Sequence, residues 1–102
     1  MNGAMTMMDD AKVVELPTVL DLNAASPLRD RLLARRGTPL ALDASRVERI
    51  GGQCLQVLLA ARNAWQRDGA SFSIDRPSDG FLNAVRQMGF AGDLTPATET
   101  TR

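Results

Sequence analysis

The sequence contains no histidine and a single cysteine, Cys54. Without an imidazole there is no His general base, no Ser-His or Cys-His nucleophile pair and no His metal ligand. One thiol cannot close a disulfide within the chain or supply a Cys-rich zinc site. An excess of charge of one sign is missing too. Twelve Lys+Arg balance twelve Asp+Glu, so no net field steers the protein to nucleic acid or to an anionic membrane. The most apolar stretch, residues 55–61, falls far below the roughly 20 residues that a bilayer-spanning helix requires. Residues 1–10 carry two Asp and no basic residue, unlike a secretory signal. These absences point to a protein of a reducing cytoplasm, with no cofactor and no metal expected.

What is present suits one small folded domain. The chain has 102 residues, of which 44% are hydrophobic and 24% charged, enough for one modest core and too few for two. Residues 1–11 hold four of the five methionines with no helical or strand period and read as a mobile arm. Residues 95–102 (TPATETTR) are polar and read as a loose tail. The folded domain is expected over residues 12–94.

Within it the hydrophobic period changes repeatedly. Residues 12–16 and 18–22 carry Val13, Val14, Val19 and Leu20 around Pro17. They read as two short strands or as one interrupted edge strand, because proline cannot donate to a ladder. Ser26 and Pro27 form an N-cap and first-turn pair, and Gly37 after Arg35 and Arg36 forms a stop. The helix between them is expected to bury Leu28, Leu32 and Leu33. Residues 39–43 (PLALD) read as a buried strand and residues 44–50 as a loop. The glycines Gly51 and Gly52 then open a helix with Cys54, Leu58, Ala61 and Trp65 on its apolar stripe, ending at Gly69. Residues 71–75 alternate as a strand, with Phe72 and Ile74 on one face. Ser78 caps a last helix whose inner face is expected to be Phe81, Leu82, Val85 and Met88, with Gly89 as its stop. Strands alternating with helices imply right-handed crossovers. The expected fold is α/β: a mixed, mostly parallel sheet of about four to five strands with helices mainly on one face.

Sites in open α/β sheets lie beyond the carboxyl ends of strands, which directs attention to residues 43–53 (DASRVERIGGQ). A glycine pair at a helix N-terminus suits a phosphate cradle. No GxxxxGK[ST] or GxGxxG accompanies it, and a tight packing turn explains it as well. Cys54 sits in the first helical turn, where the dipole lowers a thiol pKa, yet it shares the apolar stripe and has no histidine, so it reads as a small buried hydrophobe. Asp43 and Glu48 lack the spacing of an acid pair or a Mg²⁺ site, and Asp43 reads as the cap of the following loop. Arg29, Arg31, Arg35 and Arg36 read as a solvated helix face. Trp65 reads as core, or as an interface residue if exposed.

The stretch LALDASRVERIGGQCLQVLLAARNAWQRDGASFSI resembles the central signature of STAS domains, the family of bacterial anti-sigma factor antagonists. That signature has a buried strand ending in Asp-x-Ser, a short loop, an Ile-Asp-Ser-x-Gly-Leu helix start, an apolar helix and a further strand. Asp43-Ala44-Ser45 matches the Asp-x-Ser, Ile50 the Ile, and Leu55, Val57, Leu58 and Leu59 the helix core. The helix start is similar to that of the small STAS proteins that accompany chemotaxis genes in alphaproteobacteria. The resemblance implies a non-enzymatic regulatory protein that docks on a signalling partner, either the chemotaxis histidine kinase CheA or an anti-sigma kinase. A role as STAS subunit of a phospholipid-transport ABC complex is a further alternative. The antagonists carry a phosphorylatable serine at the helix start, where this chain has Gly51-Gly52, so Gly52 stands at the phosphosite position without a hydroxyl. The implied partner-binding residues are Ser45, Arg46, Glu48, Arg49, Gly51, Gly52, Gln53 and Gln56. Neither nucleic-acid binding nor membrane insertion is expected, and the oligomeric state stays open.

Overall fold

The computed structural model describes residues 13–94, so the expected arm and tail lie outside the described residues. Among the described residues there are five strands and every pairing is parallel, as the alternation of strands with helices requires. Strands β1 (Val13–Glu15), β3 (Leu40–Asp43) and β5 (Phe72–Asp75) form a three-stranded sheet in the order β1-β3-β5. Strands β2 (Val19–Leu20) and β4 (Arg49–Ile50) form a separate two-stranded ribbon. The division occurs at Pro17. The Leu16 N–H still donates to the Asp43 carbonyl, but proline offers no donor to continue, and the chain leaves the sheet. The Thr18 carbonyl then accepts from the Glu48 and Arg49 N–H groups and the Leu20 carbonyl from Gly51 N–H. Residues 12–22 thus resolve into two strands, and the expected loop over 44–50 contains β4.

Register decides which face is covered. Val14, Leu42 and Ile74 are aligned across the sheet and buried, whereas their neighbours Val13, Ala41 and Ser73 are aligned on the opposite face, where Val13 is 52% exposed. The helices α1 (Ala25–Leu33), α2 (Gly52–Asp68) and α3 (Asp79–Gln87) supply the apolar stripes that meet the buried face. Leu28 and Leu32 come from α1, six side chains including Trp65 from α2, and Phe81 and Val85 from α3. The Trp65 indole N–H donates to the Thr38 carbonyl at 2.7 Å and its ring lies 5.8 Å from that of Phe72. Among the described residues no helix is long and apolar enough to cross a membrane.

Three expectations about the helices are corrected. A 3-10 turn over Leu22–Ala24 precedes α1, so Ser26 lies inside the helix and Ala24 occupies the N-cap without a side-chain bond. Pro27 still falls in the first turn, where its missing N–H has no intrahelical acceptor. Leu33 is 47% exposed: at 3.6 residues per turn it stands roughly 140° around the axis from Leu28, off the buried stripe. Met88 is 50% exposed because α3 ends at Gln87, and Met88 is its C-cap. Gly89 then adopts φ +83° and the Phe90 N–H returns to the Val85 carbonyl at 2.8 Å, an arrangement only glycine enters at low cost. A short unanticipated helix, α4 (Ala91–Leu94), follows and buries Leu94.

Candidate functional site

The segment between β3 and α2 is fixed from below at several points. Asp43 ends β3, and its Oδ1 accepts the Ser45 N–H at 2.9 Å, while Oδ2 accepts from the Arg76 guanidinium. The bonds from Ser45, followed by that from Arg76, hold the Asp43 carboxyl at about 2. Arg76 reaches Asp43 from a backbone at φ +51°, a left-handed conformation that is uncommon for a non-glycine residue. Ala44 and Val47 are buried, leaving Ser45 and Arg46 exposed between them. Ser78 clamps this turn twice, through its N–H to the Ala44 carbonyl and its hydroxyl to the Val47 carbonyl. The same hydroxyl oxygen accepts the Phe81 N–H at 3.0 Å and so caps α3, as its position before the helix predicts.

A further contact fixes the other side of the loop. A Cβ placed on Gly80 would lie 2.5 Å from the Glu48 carbonyl oxygen and 3.0 Å from that of Val47. Only a residue without a side chain lets α3 come this close.

The expected contact residues fall into three groups. Ser45 and Arg46 form the exposed turn. Glu48, Arg49 and Gly51 line a shallow depression with Asp21, Leu22, Asn83 and Gln87, about 600 Å³ in volume. Gly52, Gln53 and Gln56 line a second cleft with Met88 and Phe90. The chain segment is continuous, but its surface is two concavities separated by the Gly51–Gly52 corner. Met88 and Phe90 could not be assigned to this surface from the sequence, because only the turn at Gly89 brings them beside α2.

The two glycines have space around them. A Cβ on Gly52 would meet the Met88 Cε at 3.8 Å, and one on Gly51 the Leu20 carbonyl oxygen at 3.9 Å, both ordinary contacts. Gly51 has φ −93° and Gly52 no positive φ. Neither a tight turn nor close packing requires glycine here. As the N-cap of α2, Gly51 provides no side-chain bond to the first turn.

The remaining chemical candidates are committed elsewhere. Cys54 is fully buried, donates to the Asp21 carbonyl at 3.3 Å, and burial pushes its thiol pKa up. Such a thiol is a poor nucleophile. Asp43 is held by Ser45 and Arg76 while Glu48 is exposed in the first depression, so they form no acid pair. Among the described residues no three His, Cys, Asp or Glu side chains are grouped to hold a metal. Arg29 and Arg31 are solvated, whereas Arg36 donates to Asp68 at 2.7 Å and Arg35 is half-buried with its Nε unpartnered.

The family model described as Mlab, STAS domain, matches residues 4–96. The chain belongs to the STAS family. No curated protein matches it. STAS domains are generally regulatory domains that mediate protein–protein interaction, and the α/β architecture with its parallel strands fits such a domain.

Proposed function

We propose that this STAS domain is a non-enzymatic docking module of the cytoplasm. Its contact surface is the segment from Ser45 to Gln56, including Arg46, Glu48, Arg49, Gly51, Gly52 and Gln53. One observation carries the reading: the α2 start is accessible at Gly51 and Gln53 and has room for a side chain at Gly52 where it has none, while Ser78 and Gly80 hold the loop before it. An antagonist of the usual kind is switched by adding about two negative charges at that position, which disrupts a docked surface. With Gly52 there, binding is constitutive or governed by the partner. The resemblance of the helix start to chemotaxis-associated STAS proteins makes the histidine kinase CheA the first partner to test. Titration with the CheA of the same gene cluster is expected to give saturable binding that ATP does not reverse. Absence of binding at about 50 μM, roughly −6 kcal/mol, would reject this partner.

The match to the Mlab division of the family supports a second reading, in which the partner is the ATPase of a phospholipid-transport complex. Co-purification of an ABC subunit with the tagged chain, in place of a kinase, distinguishes the two. An anti-sigma kinase as partner predicts the same unswitched binding, with the kinase retained on the chain in the presence of ATP.

A further inference from the structure

A second concave surface adjoins the segment from Ser45 to Gln56 and shares Gln53 and Gln56 with it; its chemistry is independent of the partner reading above. The helices α1 and α2 leave a groove between them of about 500 Å³. Its apolar part is formed by Val57, Ala60 and Ala64 from α2 and Leu33 from α1, with Gln53 and Gln56 lining it towards the start of α2. Leu33 is the α1 leucine turned out of the core, so the groove carries an exposed aliphatic side chain. The groove extends from Gln53 to Arg67, which at 1.5 Å per residue is about 21 Å. That length spreads the volume into a channel of about four helical turns instead of a compact pocket.

Its charge is uneven in a chain whose total charge is zero. The charged residues lining it are Arg29, Arg36 and Arg67, with no carboxylate among them. Arg36 is engaged by Asp68, just outside the groove. Arg29 from α1 and Arg67 from α2 are both exposed. By contrast, the depression beside Glu48 includes both Asp21 and Glu48.

These features select one occupant. Both walls are helices whose main-chain groups are bonded internally, so an extended peptide would find no strand edge to pair with. A guest helix satisfies its own backbone and can lay an apolar stripe on the floor. The arginines favour carboxylates beside that stripe. We propose that the α1–α2 groove docks an amphipathic helix of a protein partner, one with acidic side chains flanking its apolar face.

Trp65 lies beneath the groove, 1% exposed, and is the only tryptophan, so its emission is a secondary readout beside calorimetry. The probe is a synthetic helical peptide of about 16 residues with leucines on one face and glutamates flanking them, compared with its lysine-flanked twin. Titration of the full chain, followed by Trp65 emission and calorimetry, is expected to show the glutamate peptide binding at least about tenfold more tightly, with an advantage that shrinks in salt. Joint Arg29→Glu and Arg67→Glu substitution is expected to invert the preference. Ala60→Arg, at an exposed position, is expected to abolish binding of both peptides without changing the thermal midpoint. Equal affinity for the two peptides, no saturation by about 1 mM, or undiminished binding to Ala60→Arg would overturn the proposal. Binding to phosphatidylglycerol vesicles without binding to the glutamate peptide would overturn it as well, assigning the arginines to a lipid surface.

Discussion

The two helix starts beside the candidate site are built in opposite ways. At α3, Ser78 caps the helix, bonds the Val47 and Ala44 carbonyl groups, and is followed by a glycine pressed against the Glu48 carbonyl. At α2, the N-cap Gly51 has no side-chain bond, and Gly52 has only ordinary contacts around a potential Cβ. One start locks the loop that leads to the other, which is open. The difference shows that glycine carries no fixed meaning: Gly80 is required by proximity, while Gly52 is a position from which a side chain is missing.

The most severe way to break this contrast is Gly80→Ala. Its methyl group would overlap the Glu48 carbonyl, and α3 would have to move away from β4. A loss of about 3 kcal/mol is expected in urea unfolding. Ser78→Ala comes next, because it removes a helix cap and a bond to Val47 together. It should cost about 1 to 2 kcal/mol, with faster amide exchange in residues 44–50. Acid gives an effect of similar or slightly smaller size through Asp43. Its folded-state pKa is depressed from 3.8 to about 2, so its stabilisation is complete above the unfolded value and is lost as pH falls through the folded one. A decline of about 1 to 2 kcal/mol between about pH 4 and pH 2 is expected, absent in Asp43→Asn. Exposed Arg76 contributes little of it, because solvent screens that pair. The smallest effect belongs to Gly52→Ser, which should change stability by no more than about 0.5 kcal/mol. Incubated with an anti-sigma serine kinase and ATP, this variant is expected to acquire a phosphoserine detectable by mass spectrometry, whereas the parent chain acquires none at residue 52. A Gly52→Ser protein as unstable as Gly80→Ala would dissolve the distinction between the two starts.

How far the sequence revealed these features depended on the range of the forces behind them. Local signals were legible: the α2 stripe of Cys54, Leu58, Ala61 and Trp65 is buried as its spacing predicts, and Ser78 caps α3. Asp43 holds the following turn, and Gly37, Gly69 and Gly89 all adopt positive φ beyond helix ends. Each of these depends on neighbours within about four residues. Features set by distant partners were not legible. β4 is two residues long, too short to show a period, and exists because Thr18 and Leu20 offer carbonyls to it. Ser26 and Pro27 resemble a helix start, yet the 3-10 turn before them moved the cap to Ala24. Leu33 and Met88 are exposed against expectation because apolar character alone does not say whether a helix has already ended or rotated away. At the candidate site, the sequence directs attention to the β3–α2 segment, but it does not show the division of that segment into two concavities or the presence of Met88 and Phe90.

The parallel pairing of every strand also bears on how the chain reaches this structure. Each ladder joins residues about thirty positions apart, as in Val13 with Ala41, Val19 with Arg49 and Leu40 with Phe72. No hairpin can form early and template the rest. Closing a loop of that length precedes any reward from pairing, so strand assembly must wait for helices to shorten the intervening chain. The ribbon that sets the α2 start in place contributes only two residues from each strand. It should be among the last parts to form and, by the same reasoning, the first to open, which places the proposed contact surface at the least persistent junction of the fold.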